Sequence, residues 1–258
     1  MELYFWSSKY LSRLPIMVKP VENDGRLIQS VGDVTIARAI EVKEGINFLG
    51  AKLLHYSTCQ YAKTRDLKIT IPRNEFLALC GYDNDTHSRV NNNKKRLEQS
   101  LYALSRNAIM HGDKKIYFIS TDYKVTKHGI TLTLEEDFIS LILKDSNAKN
   151  GKANTRYDIR LLKCQSLGAY KLGMELVSVT FNESRKKAGN NGKLKVNKML
   201  AVTEHKLSKD KGYKCSQRKP LESTLDSLSD IFEWHYKTEP NTYDEWLEAC
   251  VIFTYKGV

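Results

Sequence analysis

Residues 67–81 read LKITIPRNEFLALCG, and this stretch gives the first indication of the fold. Leu67 to Ile71 alternates apolar and polar residues, which is typical of a short, half-buried strand. Pro72 suits the first turn of a helix, because its fixed φ is already helical and its missing N–H is not needed there. The helix is expected to stop at Gly81, since glycine commonly ends helices. The stretch therefore predicts a strand that leads directly into a short helix.

The segments on either side extend this pattern. Residues 47–62 carry apolar residues at helical spacing, and a longer helix is predicted to begin at Asp85 or Thr86, both suitable N-caps. Its apolar stripe consists of Val90, Leu97, Leu101, Leu104 and Ala108. Strands are predicted at 116–119, 123–125 and 130–134, with a tight turn at His128-Gly129, before a helix at 135–143. Helix, strand, helix, longer helix and β-ribbon is the element order of a winged helix.

The second half of the chain repeats this order with different residues. A long helix is predicted at 161–185, a short strand at 193–196 and a short helix at 197–203. Pro220 starts another helix, in which Leu221, Leu225, Leu228 and Ile231 recur at helical spacing. Residues 232–237 and 247–255 are predicted to form a closing hairpin.

The predicted fold class is α+β, with two tandem winged-helix domains that each combine a helical core and a β-hairpin wing. Residues 1–45 are interpreted as an irregular N-terminal segment and 46–146 as the first domain. Residues 147–157 are polar and read as a linker, and 158–258 form the second domain.

Charge points to a polyanionic partner. The chain has 258 residues and a net charge of +11, and twelve basic residues between Arg185 and Lys219 are opposed only by Glu204 and Asp210.

The five cysteines include no close pair, so neither a disulfide framework nor a zinc ribbon is indicated. Reduced thiols favour a cytoplasmic protein, and no segment has the apolar length of a signal peptide or a membrane span.

Several runs resemble the plasmid replication initiator (Rep) family with tandem winged helices. In the second half these runs are Lys219–Leu228, Phe232–Tyr236 and Leu247–Phe253, and in the first half they are Lys68–Pro72, Lys94–Leu97 with Leu101 and Leu104, and Lys127–Leu132. The resemblance implies binding to repeated sites in double-stranded DNA at a plasmid origin, opening of a nearby A·T-rich segment and recruitment of host replication proteins. Homodimer formation is left open, because no leucine heptad is present.

Two helix faces are candidates for reading DNA. On the first long helix, the outward face carries Arg89, Asn92, Asn93, Lys95 and Arg96, and on the helix at Pro220 it carries Arg218, Lys219, Ser223, Thr224 and Ser227, with Gln217 at its approach. Arginine and carboxamide side chains can each form two hydrogen bonds to one base edge, and hydroxyl groups can donate or accept a hydrogen bond. Both faces would also be ordinary for solvated helices, and the first equally for contact with a protein.

A separate group of lysines is predicted to bind phosphates, which adds affinity without sequence preference. These residues are Lys186, Lys187, Lys193, Lys195 and Lys214.

The sequence contains few features that would support an enzymatic function. A rolling-circle initiator needs a His-hydrophobic-His metal pair, and no two of the six histidines are two residues apart. No Gly-rich loop with Lys-Ser or Lys-Thr is present for ATP. No cofactor, metal or catalytic residue is therefore predicted. The alternatives kept open are a winged-helix transcriptional regulator, which would use the same contacts, and a metal-dependent nuclease built from scattered acids such as Asp66, Glu75 and Glu136.

Overall fold

The computed structural model describes residues 4–8, 21–23, 26–31, 34–39, 45–82, 86–111, 113–146, 154–180, 191–203 and 217–256. Its helices are α1 (Phe48–Thr64), α2 (Arg73–Leu79), α3 (His87–Arg106), α4 (Glu136–Ser146), a 3₁₀ helix (Ile159–Lys163), α5 (Leu167–Thr180), α6 (Val196–Val202), α7 (Arg218–Asp226) and α8 (Tyr243–Glu248). Its strands are β1 (Tyr4–Ser8), β2 (Val21–Asn23), β3 (Arg26–Val31), β4 (Val34–Ala39), β5 (Lys68–Pro72), β6 (Ala108–His111), β7 (Lys114–Tyr117), β8 (Lys124–Val125), β9 (Gly129–Thr133), β10 (Asn154–Asp158), β11 (Asn191–Lys195), β12 (Phe232–Tyr236) and β13 (Cys250–Tyr255). The chain divides into two compact units, residues 6–155 and residues 156–258 with 1–5.

The first unit contains a winged helix in the order α1, β5, α2, α3, β8, β9. Strand β5 pairs antiparallel with β9, and β9 with β8, so the sheet order is β5-β9-β8. Alternate residues of the strands point inward: Ile69, Ile71, Ile130 and Leu132 are buried, as the period of two in their sequences predicts. The helices cover this face and enclose the core of the unit.

The second unit repeats the topology in the order α5, β11, α6, α7, β12, β13. Its sheet order is β11-β13-β12, which places the first strand beside the last as in the first unit. Leu172, Leu176, Leu221, Val251 and Phe253 are all completely buried between the helices and this sheet. The predicted fold of two tandem winged helices is confirmed.

The description of residues 1–45 as irregular was wrong. They include β1 to β4, and the five-stranded sheet β2-β3-β4-β6-β7 unites three of these strands with two that follow α3. In this sheet β4 pairs antiparallel with β6, with Ile36 opposite Ile109 and both side chains buried. The partner of β4 lies some seventy residues further along the chain, so no local pattern could reveal the pairing.

Three element boundaries also differ from the sequence predictions. Part of the supposed linker is strand β10, which pairs with β1, while residues 147–153 lie outside the described residues. The long helix predicted at 161–185 is interrupted at Cys164, because Ser166 Oγ accepts from Ala169 N at 3.1 Å and starts a new helix. The closing hairpin contains a further helix, α8, and this helix includes Leu247.

Within the described residues, no helix combines the length and the apolar character needed to cross a membrane.

Candidate nucleic-acid interface

Helix α3 is the third helix of the first winged helix and has a polar, exposed face. It is 20 residues long, and Thr86 Oγ1 caps it by accepting from Arg89 N at 3.3 Å. Leu97, Leu101 and Leu104 are fully buried on one side. The predicted contact residues Arg89, Asn92, Lys95 and Arg96 are exposed on the other. The structure thus presents two arginines, a lysine and a carboxamide together on one helix.

Asn93 does not belong to this face. Only 5% of it is exposed, because it precedes Leu97 by four residues and Ser100 by seven and so lies on the core side of the helix. Its neighbour Asn92 is exposed. The prediction that Asn93 faces outward is corrected.

The wing of the first unit adds basic residues that were not predicted as DNA contacts. Lys124, Lys127 and His128 are exposed on β8 and the turn that follows. The turn is held by Thr126, whose Oγ1 accepts from His128 N at 3.3 Å and Gly129 N at 3.0 Å. Strand β8 packs against α3. The signal was available in the sequence as the spacing of Lys124 and Lys127 around a predicted hairpin turn.

Helix α7 is the corresponding helix of the second unit. Leu221 and Leu225 anchor it in the core, whereas Lys219, Ser223 and Ser227 are exposed as predicted. Thr224 is half-buried, and its hydroxyl donates to Pro220 O at 2.8 Å. Ser227 Oγ similarly donates to Thr224 O at 2.7 Å. Both hydroxyls retain lone pairs that can accept from an external donor.

Ser223 and Thr224 of α7, together with Ser227 directly after it, line part of a groove of about 390 Å³. The rest of the lining comes from the 3₁₀ helix, from the residues between it and α5, and from two residues after α7. The complete lining is Arg160, Lys163, Cys164, Gln165, Ser166, Ser223, Thr224, Ser227, Asp230 and Ile231. Arg160 is held in place there: its Nη2 donates to buried Asp158 Oδ2 at 2.6 Å and its Nη1 to Asp230 O at 2.6 Å. Arg160 is therefore a fixed part of the groove's lining.

Gln217 and Arg218 are engaged inside the second unit. Gln217 is buried, and its Oε1 accepts from Tyr243 Oη at 2.7 Å. Arg218 donates from Nε to Glu222 at 2.7 Å and from Nη2 to Glu239 at 2.5 Å. These hydrogen bonds raise the pKa of the Arg218 guanidinium further above its usual range. Arg218 was expected on the outward face of the helix and Gln217 at its approach, and the structure corrects both placements.

The predicted phosphate-binding lysines differ in their surroundings. Lys193 and Lys195 are exposed on β11, but Lys195 Nζ lies 2.9 Å from Glu248 Oε2. That carboxylate offsets much of the charge that Lys195 could offer to a phosphate. Lys186, Lys187 and Lys214 lie outside the described residues.

Among the described residues, no group of three or more His, Cys, Asp or Glu side chains could hold a metal ion. Asp66, Glu75 and Glu136, the acids considered for a nuclease, are thus not part of such a group. Within the same residues, Cys59, Cys80, Cys164 and Cys250 are not joined in disulfide bonds.

Comparison with solved structures gives matches over the whole chain. The chain is similar to the Pi initiator protein in complex with iteron DNA, with a TM-score of 0.63, 9% identity, and 99% of this chain and 98% of that chain covered. It is also similar to domains 2 and 3 of RctB, solved as a selenomethionine derivative, with a TM-score of 0.55, 9% identity and 97% of each chain covered. No protein-family model and no curated protein matches the sequence. At this identity the likeness establishes a shared fold.

Proposed function

We propose that this protein binds double-stranded DNA sequence-specifically at a plasmid origin and initiates replication there without catalysing a reaction of its own. The observation that carries the proposal is the match of the whole chain to an initiator solved on iteron DNA. Because the match spans both winged helices, it supports a protein in which both units engage DNA. The net charge of +11 fits a polyanionic partner.

In this proposal the exposed face of α3 and its wing act together. Asn92 and Arg96 are suited to adenine and guanine edges in the major groove, since each can form two hydrogen bonds to its base. Arg89 and Lys95 can contact either bases or phosphates. Lys124 and Lys127 on the wing would bind the backbone alongside.

In the second unit, Lys219, Ser223, Thr224 and Ser227 of α7 are the proposed contacts. Hydroxyl groups adapt to donors and acceptors, so they contribute to recognition once the helix is placed in a groove. Lys193, Lys186, Lys187 and Lys214 are proposed to bind phosphates. Action in the cytoplasm, a homodimeric form and contact with host replication proteins belong to the same proposal.

The test uses the chain of 258 residues and a library of random duplexes. We expect repeated selection to enrich one short motif, and we expect direct repeats of that motif beside the coding sequence. A supercoiled plasmid that carries the motif should then be retarded but remain intact in the presence of Mg²⁺. Failure to enrich any sequence would contradict the proposal, and cleavage would favour the nuclease. Enrichment of a motif found only at promoters would favour a transcriptional regulator.

A further inference from the structure

The wing of the second unit has the wrong charge for a phosphate contact. Between β12 and β13, residues 237–249 contain one basic residue, Lys237, and four acids, which are Glu239, Asp244, Glu245 and Glu248. All four acids are exposed. The corresponding wing of the first unit exposes Lys124 and Lys127 instead. Since DNA phosphates repel carboxylates, the two wings are suited to different tasks.

This acidic wing is a packed element. Its helix α8 is capped by Thr242, whose Oγ1 accepts from Glu245 N at 3.2 Å. Trp246 of the same helix is 1% exposed. The indole Nε1 donates to Tyr236 Oη at 2.9 Å. The residues between β12 and β13 are therefore tied to the body of the unit.

Arg218 connects this wing to the first turn of α7. Its guanidinium donates to Glu222 one turn further along the helix and, across to the wing, to Glu239 and to Pro240 O at 3.3 Å. The guanidinium carbon also lies 5.2 Å from the centre of the Tyr236 ring. One side chain thus makes contacts with the helix, with β12 and with the loop after it.

Two further hydrogen bonds run in parallel with those of Arg218. Tyr236 Oη donates to Glu222 Oε1 at 2.9 Å, so the same carboxylate oxygen serves both Arg218 and the wing. Tyr243 Oη donates to Gln217 Oε1 at 2.7 Å. Gln217 directly precedes α7, and its carboxamide is engaged with the wing rather than in a capping bond to the helix. A nine-residue helix without a side-chain cap gains its support from outside.

We propose that Arg218 is a positioning residue, and that it clamps the acidic wing onto the start of α7 so that the wing braces the DNA-reading helix instead of binding phosphates. The inference rests on the proposed function, because it concerns how α7 is presented to DNA. The brace fixes the direction of the first turns, where Lys219 and Ser223 are exposed. It also gives Arg218 a role that does not require the side chain to reach a base.

Glu239→Gln separates this role from direct base reading. If Arg218 is a brace, replacing this charge-assisted hydrogen bond with a weaker, neutral one should weaken binding to the selected motif by about tenfold. Binding to random duplex should stay unchanged or rise slightly, because an acid near the DNA has been removed. If Arg218 instead reads a base directly, Glu239→Gln should leave binding to the motif unchanged or make it tighter, because the guanidinium is released from Glu239.

The matched control is Glu233→Gln. Glu233 is exposed on β12 of the same hairpin and lies 3.8 Å from Lys256, outside the clamp. The substitution Glu233→Gln changes the net charge by the same amount as Glu239→Gln, so a purely electrostatic effect on DNA binding should appear equally in both variants. Arg218→Lys should resemble Glu239→Gln, because an ammonium cannot reproduce the planar set of donors that spans both carboxylates.

A measurement without DNA tests the clamp by itself. Amide hydrogen exchange across residues 221–225, whose N–H groups have acceptors one turn earlier in the chain, should be faster in Glu239→Gln than in the wild type and in Glu233→Gln. Equal exchange in all three proteins would overturn the clamp even if no DNA motif were found. Faster exchange combined with unchanged discrimination between motif and random duplex would overturn the positioning role. Failure of the wild type to select any sequence would instead count against the proposed function.

Discussion

Ser100 Oγ lies 2.8 Å from Asn47 Oδ1, although the two residues are 53 positions apart, and it shares its one proton between that oxygen and Arg96 O at 2.7 Å. Asn47 Oδ1 also accepts from Gly50 N at 2.8 Å and so caps α1. A Cβ at Gly50 would lie 3.5 Å from the Cβ of Ser100, which shows how closely the two helices approach here. One carboxamide therefore begins α1 and joins it to the middle of α3, the helix with the exposed basic face.

Asn47→Ala should lower the free energy of unfolding by about 1–2 kcal/mol, because it removes both the cap and the link to α3. Urea denaturation of the full chain measures this change. Asn92→Ala is the control, since the side chain is exposed on α3 and its loss should alter stability by no more than about 0.5 kcal/mol. Equal stability of the two variants would show that the Asn47 hydrogen bonds contribute nothing measurable.

The sequence predicted those parts of the fold that depend on local periodicity. Leu97, Leu101 and Leu104 recur at intervals of three and four residues. This spacing was enough to predict both helix α3 and the side of it that is buried. The pairing of β4 with β6 depends on residues far along the chain, and it was missed. Long-range contacts, unlike periodicity, leave no repeating signal in one sequence.

The same difference between local and long-range signals explains which residues of the candidate site could be predicted. Exposure of Asn92, Lys95 and Arg96 follows from their positions opposite the leucine stripe and could be predicted. The engagement of Arg218 depends on Glu239, which lies 21 residues away on another element. A basic residue on an apparently free helix face was therefore assigned to DNA, whereas its nearest partners belong to the protein.

Binding to duplex DNA should weaken steeply with salt. If about six phosphates are neutralised, the affinity should fall about a thousandfold between about 50 and 200 mM salt. Lys127→Ala should reduce the slope of log affinity against log salt by about one unit. Lys195→Ala should reduce it less, because Glu248 already pairs with that lysine. Fluorescence anisotropy at several salt concentrations measures the slopes, and equal slopes for both variants would contradict this assignment of free and paired lysines.

Two neighbouring asparagines provide a test of base reading. Asn92→Ala should weaken binding to the selected motif by about 1–3 kcal/mol and change binding to random duplex little, because the exposed carboxamide is the proposed contact to a base. Asn93→Ala should lower stability instead, since that side chain is buried. Competition titrations and denaturation curves of both variants are needed. If Asn92→Ala reduced binding to both duplexes equally, the residue would position the protein rather than read sequence.

The phenol of Tyr236 should make stability depend on pH in the alkaline range. Burial raises its pKa to about 12, and the hydrogen bond that it donates to Glu222 acts in the same direction. Donation from Trp246 and the charge of Arg218 oppose this rise but do not outweigh it. An ordinary tyrosine has a pKa of about 10. The folded protein therefore retains this proton at pH values where the unfolded chain has lost it.

It follows that the contribution of the Tyr236 hydroxyl is complete below pH about 10 and is lost as the pH rises towards about 12, since the unfolded state then binds fewer protons than the native state. Urea denaturation of the wild type and Tyr236→Phe should show a difference in stability that is constant up to pH about 10 and shrinks above it. Other groups, including Cys80 and the remaining tyrosines, titrate in both proteins and cancel in the difference. A difference that stayed constant or grew between those pH values would mean that the phenol is not held neutral between Glu222 and Trp246.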